Sequence, residues 1–148
     1  MAAQADSPEL SDSELLYLRV QSFYAWQMQL LDSGKVEDWA DTFTEDGVFD
    51  AAGLPKPVSG RERIREGARR AAEDRVNSGV THRHWLGMLT LERRADDAVF
   101  ARSYALVIET LRGGIPTLHR STVCEDVLVS NGSGWLIQKR LVSRDDLD

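Results

Sequence analysis

The spacing of apolar positions predicts helices in the first half of the chain. Apolar side chains recur at helical intervals from Leu16 to Leu31. Ser11 followed by Glu14 has the spacing of an N-terminal capping box, so this first helix is expected to begin near Ser11. A second, short amphipathic helix is predicted over residues 35–43.

A third helix is predicted in the segment Arg61–Arg75, which interleaves six arginines with four acidic residues. A solvated face of salt bridges explains this pattern better than an anion-binding site does. Before it, a short strand is predicted over Val48–Ala51. The connecting segment 52–60 holds two glycines and two prolines, which predicts a loop that could form the lip of a pocket.

The second half of the chain has the pattern of an antiparallel meander. Four runs rich in β-branched and aromatic residues are separated by turn sequences. These runs cover residues 80–94, 98–112, 116–130 and 134–145. The predicted fold class is α+β, a cone-shaped α+β barrel built on a twisted antiparallel sheet of about four long strands plus one short strand. The three N-terminal helices would cover its concave face, with residues 1–10 as a flexible tail and 11–148 as one domain.

Strand alternation predicts which side chains face the pocket. If His84 points inward, His82 shares its face, and Glu109 lies inward on the next strand. The residues expected to line the substrate pocket are Tyr24, Gln27, Met28, Trp39, Phe49, Leu86, Met88, Ser103, Ala105, Val107, Thr122 and Cys124. The outer face of the sheet would carry Trp85, Leu89, Phe100, Tyr104, Leu106, Ile108, Val123 and Val127. Because this outer face is too apolar to leave in water, it predicts a homodimer.

Composition narrows the function classes. A formal charge of -6 and a pI near 5.1 argue against nucleic acid and anionic membrane surfaces as partners. No apolar run approaches the roughly 20 residues that span a bilayer. The single cysteine, Cys124, cannot form an intramolecular disulfide, and the acidic start of the chain has no leader pattern. These features predict a soluble cytoplasmic protein.

The order of these elements resembles a known family. The first helix is followed by EDGVFD, then by a loop and a helix, then by HRHWLGM on a strand and GWLIQKR after a turn. This order resembles the SnoaL-like branch of the nuclear transport factor two-like superfamily over about residues 11–146. The resemblance implies a cone-shaped α+β fold, frequent dimers and small-molecule chemistry without a cofactor. Its members include polyketide cyclases, scytalone dehydratase, ketosteroid isomerase and the small subunits of ring-hydroxylating dioxygenases.

The resemblance also indicates the catalytic residues. Asp32 and His84 match the positions of the Asp–His pair that transfers protons in scytalone dehydratase. Leu31 and Ala51 stand where that enzyme has pocket tyrosines, and Glu109 stands where it has a second histidine. A carboxylate that holds one imidazole nitrogen leaves the other nitrogen to exchange protons near neutral pH. The predicted catalytic residues are therefore Asp32, His84 and Glu109.

Three alternatives remain at this stage. His82 and His84 with Glu109 and Asp32 have the ligand types of a metal site, although the resemblance favours chemistry without a metal. Cys124 with His119 could be a thiol nucleophile, but the two residues differ in strand parity. The protein is expected to be a cofactor-free cyclase, dehydratase or isomerase that acts on a small, apolar, oxygenated molecule of polyketide type. The alternative function is a binding or structural subunit like those of the dioxygenases.

Overall fold

The computed structural model describes residues 8–147, which form three α-helices and one six-stranded sheet. The helices are α1 (Asp12–Asp32), α2 (Val36–Ala40) and α3 (Arg61–Ser78). The strands are β1 (Phe43–Ala51), β2 (Val58–Ser59), β3 (Val80–Arg93), β4 (Val99–Leu111), β5 (Thr117–Asn131) and β6 (Gly134–Arg144). The predicted tail lies mostly outside the described residues, which begin at Pro8. No helix in residues 8–147 has the length and apolar character needed to cross a membrane.

The sheet runs in the order β2-β1-β6-β5-β4-β3 and is not closed. The pair β1 and β6 is parallel, and all other neighbouring pairs are antiparallel. The α+β class and the meander β3–β6 are confirmed. The predicted barrel, with an antiparallel sheet of about four long strands plus one short strand, differs in detail from the observed sheet, which is mixed and not closed. Strand β1 lies parallel to β6, and the predicted loop 52–60 contributes the edge strand β2.

Helix α1 begins and ends where the local chemistry requires. The Ser11 hydroxyl accepts a hydrogen bond from the backbone N–H of Glu14 at 3.2 Å, and the Glu14 carboxylate accepts one from the backbone N–H of Ser11 at 3.1 Å. The predicted capping box is therefore confirmed. The helix ends at Asp32, and Gly34 follows with φ of 81°, a conformation that favours glycine. Asp32 is thus the last helical residue and faces the sheet at β3.

The core lies between the three helices and one face of the sheet. Val20 of α1, Phe43 of β1 and Ile137 of β6 are completely buried there. The predicted helix 35–43 is shorter than expected, because Phe43 leaves the helix and starts β1. Its ring still packs edge-on against Trp39, with ring centroids 5.1 Å apart. Aromatic contacts therefore pack the helical half of the chain against the sheet.

A bulge in β3 changes which side chains face the core. The pairing of β3 with β4 shifts by one residue between Gly87 and Thr90, and Met88 has φ of 55°. Met88 is 78% exposed, whereas Leu89 is buried in the core. Both predictions were wrong, since Met88 was expected in the pocket and Leu89 on the outer face. The extra residue of a bulge reverses the alternation beyond it, and the sequence pattern contains no signal for it.

A buried polar network joins α1 to the middle of the sheet. Both carboxylate oxygens of Asp126 on β5 accept hydrogen bonds from the guanidinium of Arg140 on β6, at 2.9 and 2.8 Å. The Tyr24 hydroxyl donates to the same carboxylate at 2.6 Å, and burial together with Asp126 raises the pKa of Tyr24. Arg140 also donates to the side chain of Gln27, whose amide donates to Thr42. All of these groups are nine-tenths or more buried. The network satisfies every charge that it buries.

The network predicts a large loss of stability in Asp126→Ala. The substitution leaves the guanidinium of Arg140 buried without its carboxylate, which costs about 3–5 kcal/mol in other proteins. Glu125→Ala is the matched control, because Glu125 lies next along β5 and makes a 3.5 Å contact with the half-exposed Arg102. Urea unfolding followed by circular dichroism should show a loss of about 1 kcal/mol or less for this control. Similar losses in both variants would contradict the structural role of the network.

Candidate active site

A cavity of about 430 Å³ lies between α3, the end of α1 and the inner face of the sheet. Its wall is mostly apolar, with contributions from Met28, Trp39 and Ile64 on the helical side. Ile64, Ala68 and Ala71 of α3 follow helical spacing and present apolar side chains to the cavity. A cavity of this kind fits a small and largely apolar molecule.

The pairing of the strands arranges the cavity wall in rows. His84 of β3 pairs with Val107 of β4, and Val107 pairs with Arg120 of β5. The next row runs from Leu86 to Ala105, Thr122 and Arg144. All of these residues line the cavity. Because alternate residues of a strand share a face, the inner wall carries histidines on β3 and arginines on β5 and β6.

The central feature of the wall is the pair of Asp32 and His84. One carboxylate oxygen of Asp32 lies 2.5 Å from Nδ1 of His84, and the other accepts the backbone N–H of His84 at 2.9 Å. The side chains are 10% and 21% exposed, respectively. Two hydrogen bonds to one residue fix the carboxylate, and the carboxylate in turn fixes the imidazole tautomer with a proton on Nδ1. Nε2 of His84 has no protein partner in the described chain and remains for proton exchange at the cavity.

A second carboxylate–imidazole cluster lies beside the first. Nε2 of His82 lies 2.7 Å from the carboxylate of Glu109, and Nδ1 of His119 lies 3.5 Å from the same oxygen. The rings of His82 and His84 are 6.4 Å apart between centroids. The hydrogen bond from His82 holds the pKa of Glu109 below its ordinary value of 4.5. Burial and the charge of Arg120 lower the pKa of His119.

The structure separates the predicted site residues into three groups. His84 lies on the cavity wall, with Asp32 directly behind it and Glu109 behind His82. Eight of the predicted pocket residues also line the cavity in the described chain. These are Met28, Trp39, Phe49, Leu86, Ala105, Val107, Thr122 and Cys124. Their roles in binding and catalysis stay predictions.

The other predicted pocket residues lie elsewhere. Tyr24 and Gln27 are buried in the polar network around Asp126 and Arg140, because their hydrogen-bonding groups serve the core. Ser103 is buried and does not line the cavity within residues 8–147. Met88 is exposed on account of the bulge in β3. Helical and strand periodicity identified the inner face correctly, but it could not separate the cavity wall from the packed core below it.

Sequence reasoning missed the position of His119 and the role of Arg140. The pairing of β4 with β5 shifts by one residue at His119, so this residue reaches Glu109 despite its parity in the strand. Arg140 lines the cavity floor while it binds Asp126. In the sequence, Asp126 was recognisable as a polar residue in phase with Thr122 and Cys124 on one face of the strand. Its partner Arg140 lies on the next strand and could not be identified from the sequence.

The residues that could hold a metal differ from the predicted set. Within residues 8–147, the group with suitable geometry is His82, Glu109 and His119, whose ligand atoms lie within 4.8 Å of one another. Asp32 and His84 form a separate hydrogen-bonded pair. One carboxylate and two imidazoles are suitable donors for a transition metal, and chemistry without a metal stays a prediction.

Cys124 does not have the surroundings of a reactive thiol. Burial raises its pKa, and the nearby carboxylate of Asp126 raises it further. The thiol is therefore protonated at neutral pH, and a protonated thiol is a much poorer nucleophile than a thiolate. Its position on the cavity wall makes it an apolar contact surface.

Comparison with known proteins decides the family. The model of the SnoaL-like domain matches residues 14–141, which is most of the chain. The chain belongs to the SnoaL-like family. No protein of curated function matches it.

Solved structures of this SnoaL-like protein's relatives agree with that assignment. Aln2 from a Streptomyces species is 34% identical with a TM-score of 0.83, over 90% of this chain and 94% of that one. ActVI-ORFA from Streptomyces coelicolor is 30% identical with a TM-score of 0.82, over 90% and 97%. A protein from Catenulispora acidiphila, solved in complex with S-DNPA, is 40% identical with a TM-score of 0.76, over 89% and 95%. The resemblance found in the sequence is confirmed.

The lowered pKa of Glu109 predicts acid sensitivity. A carboxyl group whose pKa is lower in the folded state stabilises the fold above its unfolded pKa of 4.5, and this contribution is lost as the pH falls through the folded value. The free energy of unfolding should therefore fall less steeply between about pH 6 and about pH 3 in Glu109→Gln than in the wild type. Urea titrations at each pH measure the slope, and Glu92→Gln, at an exposed position of β3, should keep the wild-type slope. Identical slopes in all three proteins would contradict the prediction.

Proposed function

We propose that this SnoaL-like protein is a cofactor-free acid–base catalyst of the cyclase, dehydratase or isomerase class. Its substrate would be a small, largely apolar, oxygenated molecule of polyketide type. The observation that carries the proposal is the Asp32–His84 pair, in which a fixed carboxylate orients an imidazole on the wall of an apolar cavity. Membership of the SnoaL-like family supports this class of chemistry.

The pair provides what a proton transfer at carbon requires. With Nδ1 of His84 held by Asp32, Nε2 is a base that takes a proton from a carbon next to a carbonyl group. The imidazolium that forms is stabilised by the carboxylate beside it. The same group then returns the proton to an oxygen or carbon of the substrate, which completes an enolisation, an elimination or an intramolecular addition. His82, held by Glu109, is 6.4 Å away between ring centroids and provides a second proton-transfer group.

The cavity wall supports the same chemistry. Apolar side chains such as Leu86 and Val107 lie near His84 on the cavity wall, where the apolar body of a substrate would pack. Because the Asp32 side chain is only 10% exposed, its charge acts on the imidazole with less screening than it would in water. Cofactor-free chemistry and a cytoplasmic location stay predictions from the sequence.

The proposal predicts that Asp32→Asn and His84→Ala each lose catalysis. General acid–base groups contribute about 10²–10⁴-fold, and each variant should lose activity on that order. The double variant should lose little more than the worse single variant, since the two residues act as a unit. The measurement is exchange of the acidic methylene hydrogens of an aromatic β-keto ester for deuterium, followed by proton NMR.

Asp38→Asn is the control for Asp32→Asn. Asp38 is an exposed carboxylate on α2, and its loss changes the net charge equally. This variant should exchange the probe at the wild-type rate. Full activity in Asp32→Asn or in His84→Ala, with both variants folded by circular dichroism, would overturn the acid–base role.

The outer face of the sheet supports a homodimer as the working form. Trp85 is 68% exposed and Tyr104 is 53% exposed, and their strands β3 and β4 pair directly. Leu106 lies opposite Trp85, so these side chains form one apolar patch. Burial of this patch against a second copy is the simplest way to remove it from water.

Light scattering coupled to size exclusion should give the mass of a dimer at micromolar concentration. Trp85→Glu should shift the protein to monomers, because it places a charge in the centre of the patch. Trp26→Glu is the control, since Trp26 is 54% exposed but lies on α1. A monomeric wild type, or equal effects of the two substitutions, would contradict this interface.

A further inference from the structure

The charged residues of the cavity wall are all basic. Five arginines line the cavity in the described chain, at positions 63, 75, 120, 140 and 144. No aspartate or glutamate of residues 8–147 lines it, although the whole chain has 24 acidic residues against 18 basic ones. The acidic groups of the site, Asp32 and Glu109, stand behind their histidines. The cavity therefore has the opposite sign of charge from the protein as a whole.

The arginines of α3 divide into two sets. Arg65 binds Glu37 and Asp41, Arg69 binds Glu37, and Arg70 binds Glu66. These ion pairs confirm the predicted salt-bridged face of the third helix. Arg75 lies in the last turn of the same helix, lines the cavity and has no ion pair within residues 8–147. Two arginines of this segment, Arg63 and Arg75, nevertheless line the cavity, although the sequence pattern favoured a solvated face over an anion-binding site.

Three of the cavity arginines have no carboxylate partner in the described residues, namely Arg63 and Arg75 on α3 and, on the sheet, Arg120. The guanidinium of Arg120 donates to the backbone carbonyl of His119 at 3.0 Å, which leaves its other N–H groups available. By contrast, Arg140 is bound by Asp126, and Arg144 is bound by Asp146. A half-buried guanidinium without a counter-ion is an unusual feature of a protein interior, and it favours binding of an anion.

The register of the sheet places Arg120 relative to the catalytic pair. His84, Val107 and Arg120 occupy one row of three neighbouring strands on the cavity face. Since neighbouring strands lie about 5 Å apart, the backbones of His84 and Arg120 are about 10 Å apart. A molecule of two fused rings with a short acidic side arm spans this distance. Its apolar body would lie on Val107, Leu86 and Ala105.

We propose that Arg120, assisted by Arg75, binds a carboxylate of the substrate while its ring system reaches His84. The catalytic part of this statement rests on the function proposed above, whereas the binding part does not. A guanidinium binds a carboxylate through two parallel hydrogen bonds, which gives both affinity and orientation. Glu109 and Asp146 stand near the same end of the cavity, so a singly charged group is favoured over a phosphate dianion.

Isothermal titration calorimetry with three matched probes tests the proposal. The probes are 2-naphthylacetate, its uncharged methyl ester and 2-naphthyl phosphate. The wild type should bind the carboxylate at least about tenfold more tightly than the ester, a difference of about 1.4 kcal/mol, because charge-assisted hydrogen bonds are stronger than neutral ones. The preference should weaken as salt is raised. Equal binding of acid and ester, tighter binding of the phosphate, or no binding of any probe at millimolar concentration would overturn the proposal.

Variants separate the arginines from general charge effects. Arg120→Gln should remove most of the preference for the acid, Arg75→Gln should reduce it, and Arg120→Lys should keep part of it. Arg83→Gln is the control, since Arg83 is exposed between His82 and His84 on the opposite face of β3. A full preference in a folded Arg120→Gln, or an equal loss in Arg83→Gln, would contradict the assignment.

The His84→Ala variant distinguishes the two proposals. It should lose the deuterium exchange described above while it keeps the preference for 2-naphthylacetate over the ester. Loss of the preference in this variant would show that the imidazole, rather than Arg120, binds the anion. Full exchange activity together with an intact preference would overturn the acid–base role and leave the carboxylate site standing.

Discussion

The buried ion pair of Asp126 and Arg140 is the interaction on which the rest of the structure depends. It joins β5 to β6, and through Tyr24 and Gln27 it holds α1 across the sheet. Groups with such costly desolvation are destabilising in the core unless their hydrogen bonds are made, and here they are made. The position of α1 decides where Asp32 lies, because Asp32 is its last residue. The polar network in the core thus sets the geometry of the carboxylate that orients His84.

The cavity separates its charges into layers. Imidazoles and guanidinium groups lie on the wall, and Asp32, Glu109 and Asp126 lie one layer behind them. A base with its carboxylate behind it keeps its proton affinity without presenting negative charge to the substrate. An anionic and oxygenated molecule can therefore enter a protein whose net charge is negative. The group with metal-binding geometry in residues 8–147 is His82, Glu109 and His119, and His84 is not part of it.

The errors of sequence reasoning have a common cause in β-bulges and buried partners. One bulge turns Met88 to solvent and Leu89 to the core, and another brings His119 to Glu109. A bulge depends on how two strands pair, so neither strand shows it alone. Tyr24 and Gln27 were expected at the pocket wall because they share the buried stripe of α1. Their role in the core depends on Asp126 and Arg140, which lie about a hundred residues further along the chain.

The sequence by itself determined the elements and their faces. The capping box at Ser11, the period of α1 and the alternation in the meander are local patterns. Such patterns can be recognised in the sequence without knowing which segments of the chain pair with one another. They were enough to place Asp32 at a helix end and to put His82, His84 and Leu86 on one face of a strand. Only the tertiary structure decided that β1 lies parallel to β6, that the sheet stays open, and that Arg120 lies in the row of His84. These features depend on pairings between distant segments of the chain. The energies of such pairings come from packing and buried charge, which produce no periodic pattern in the sequence.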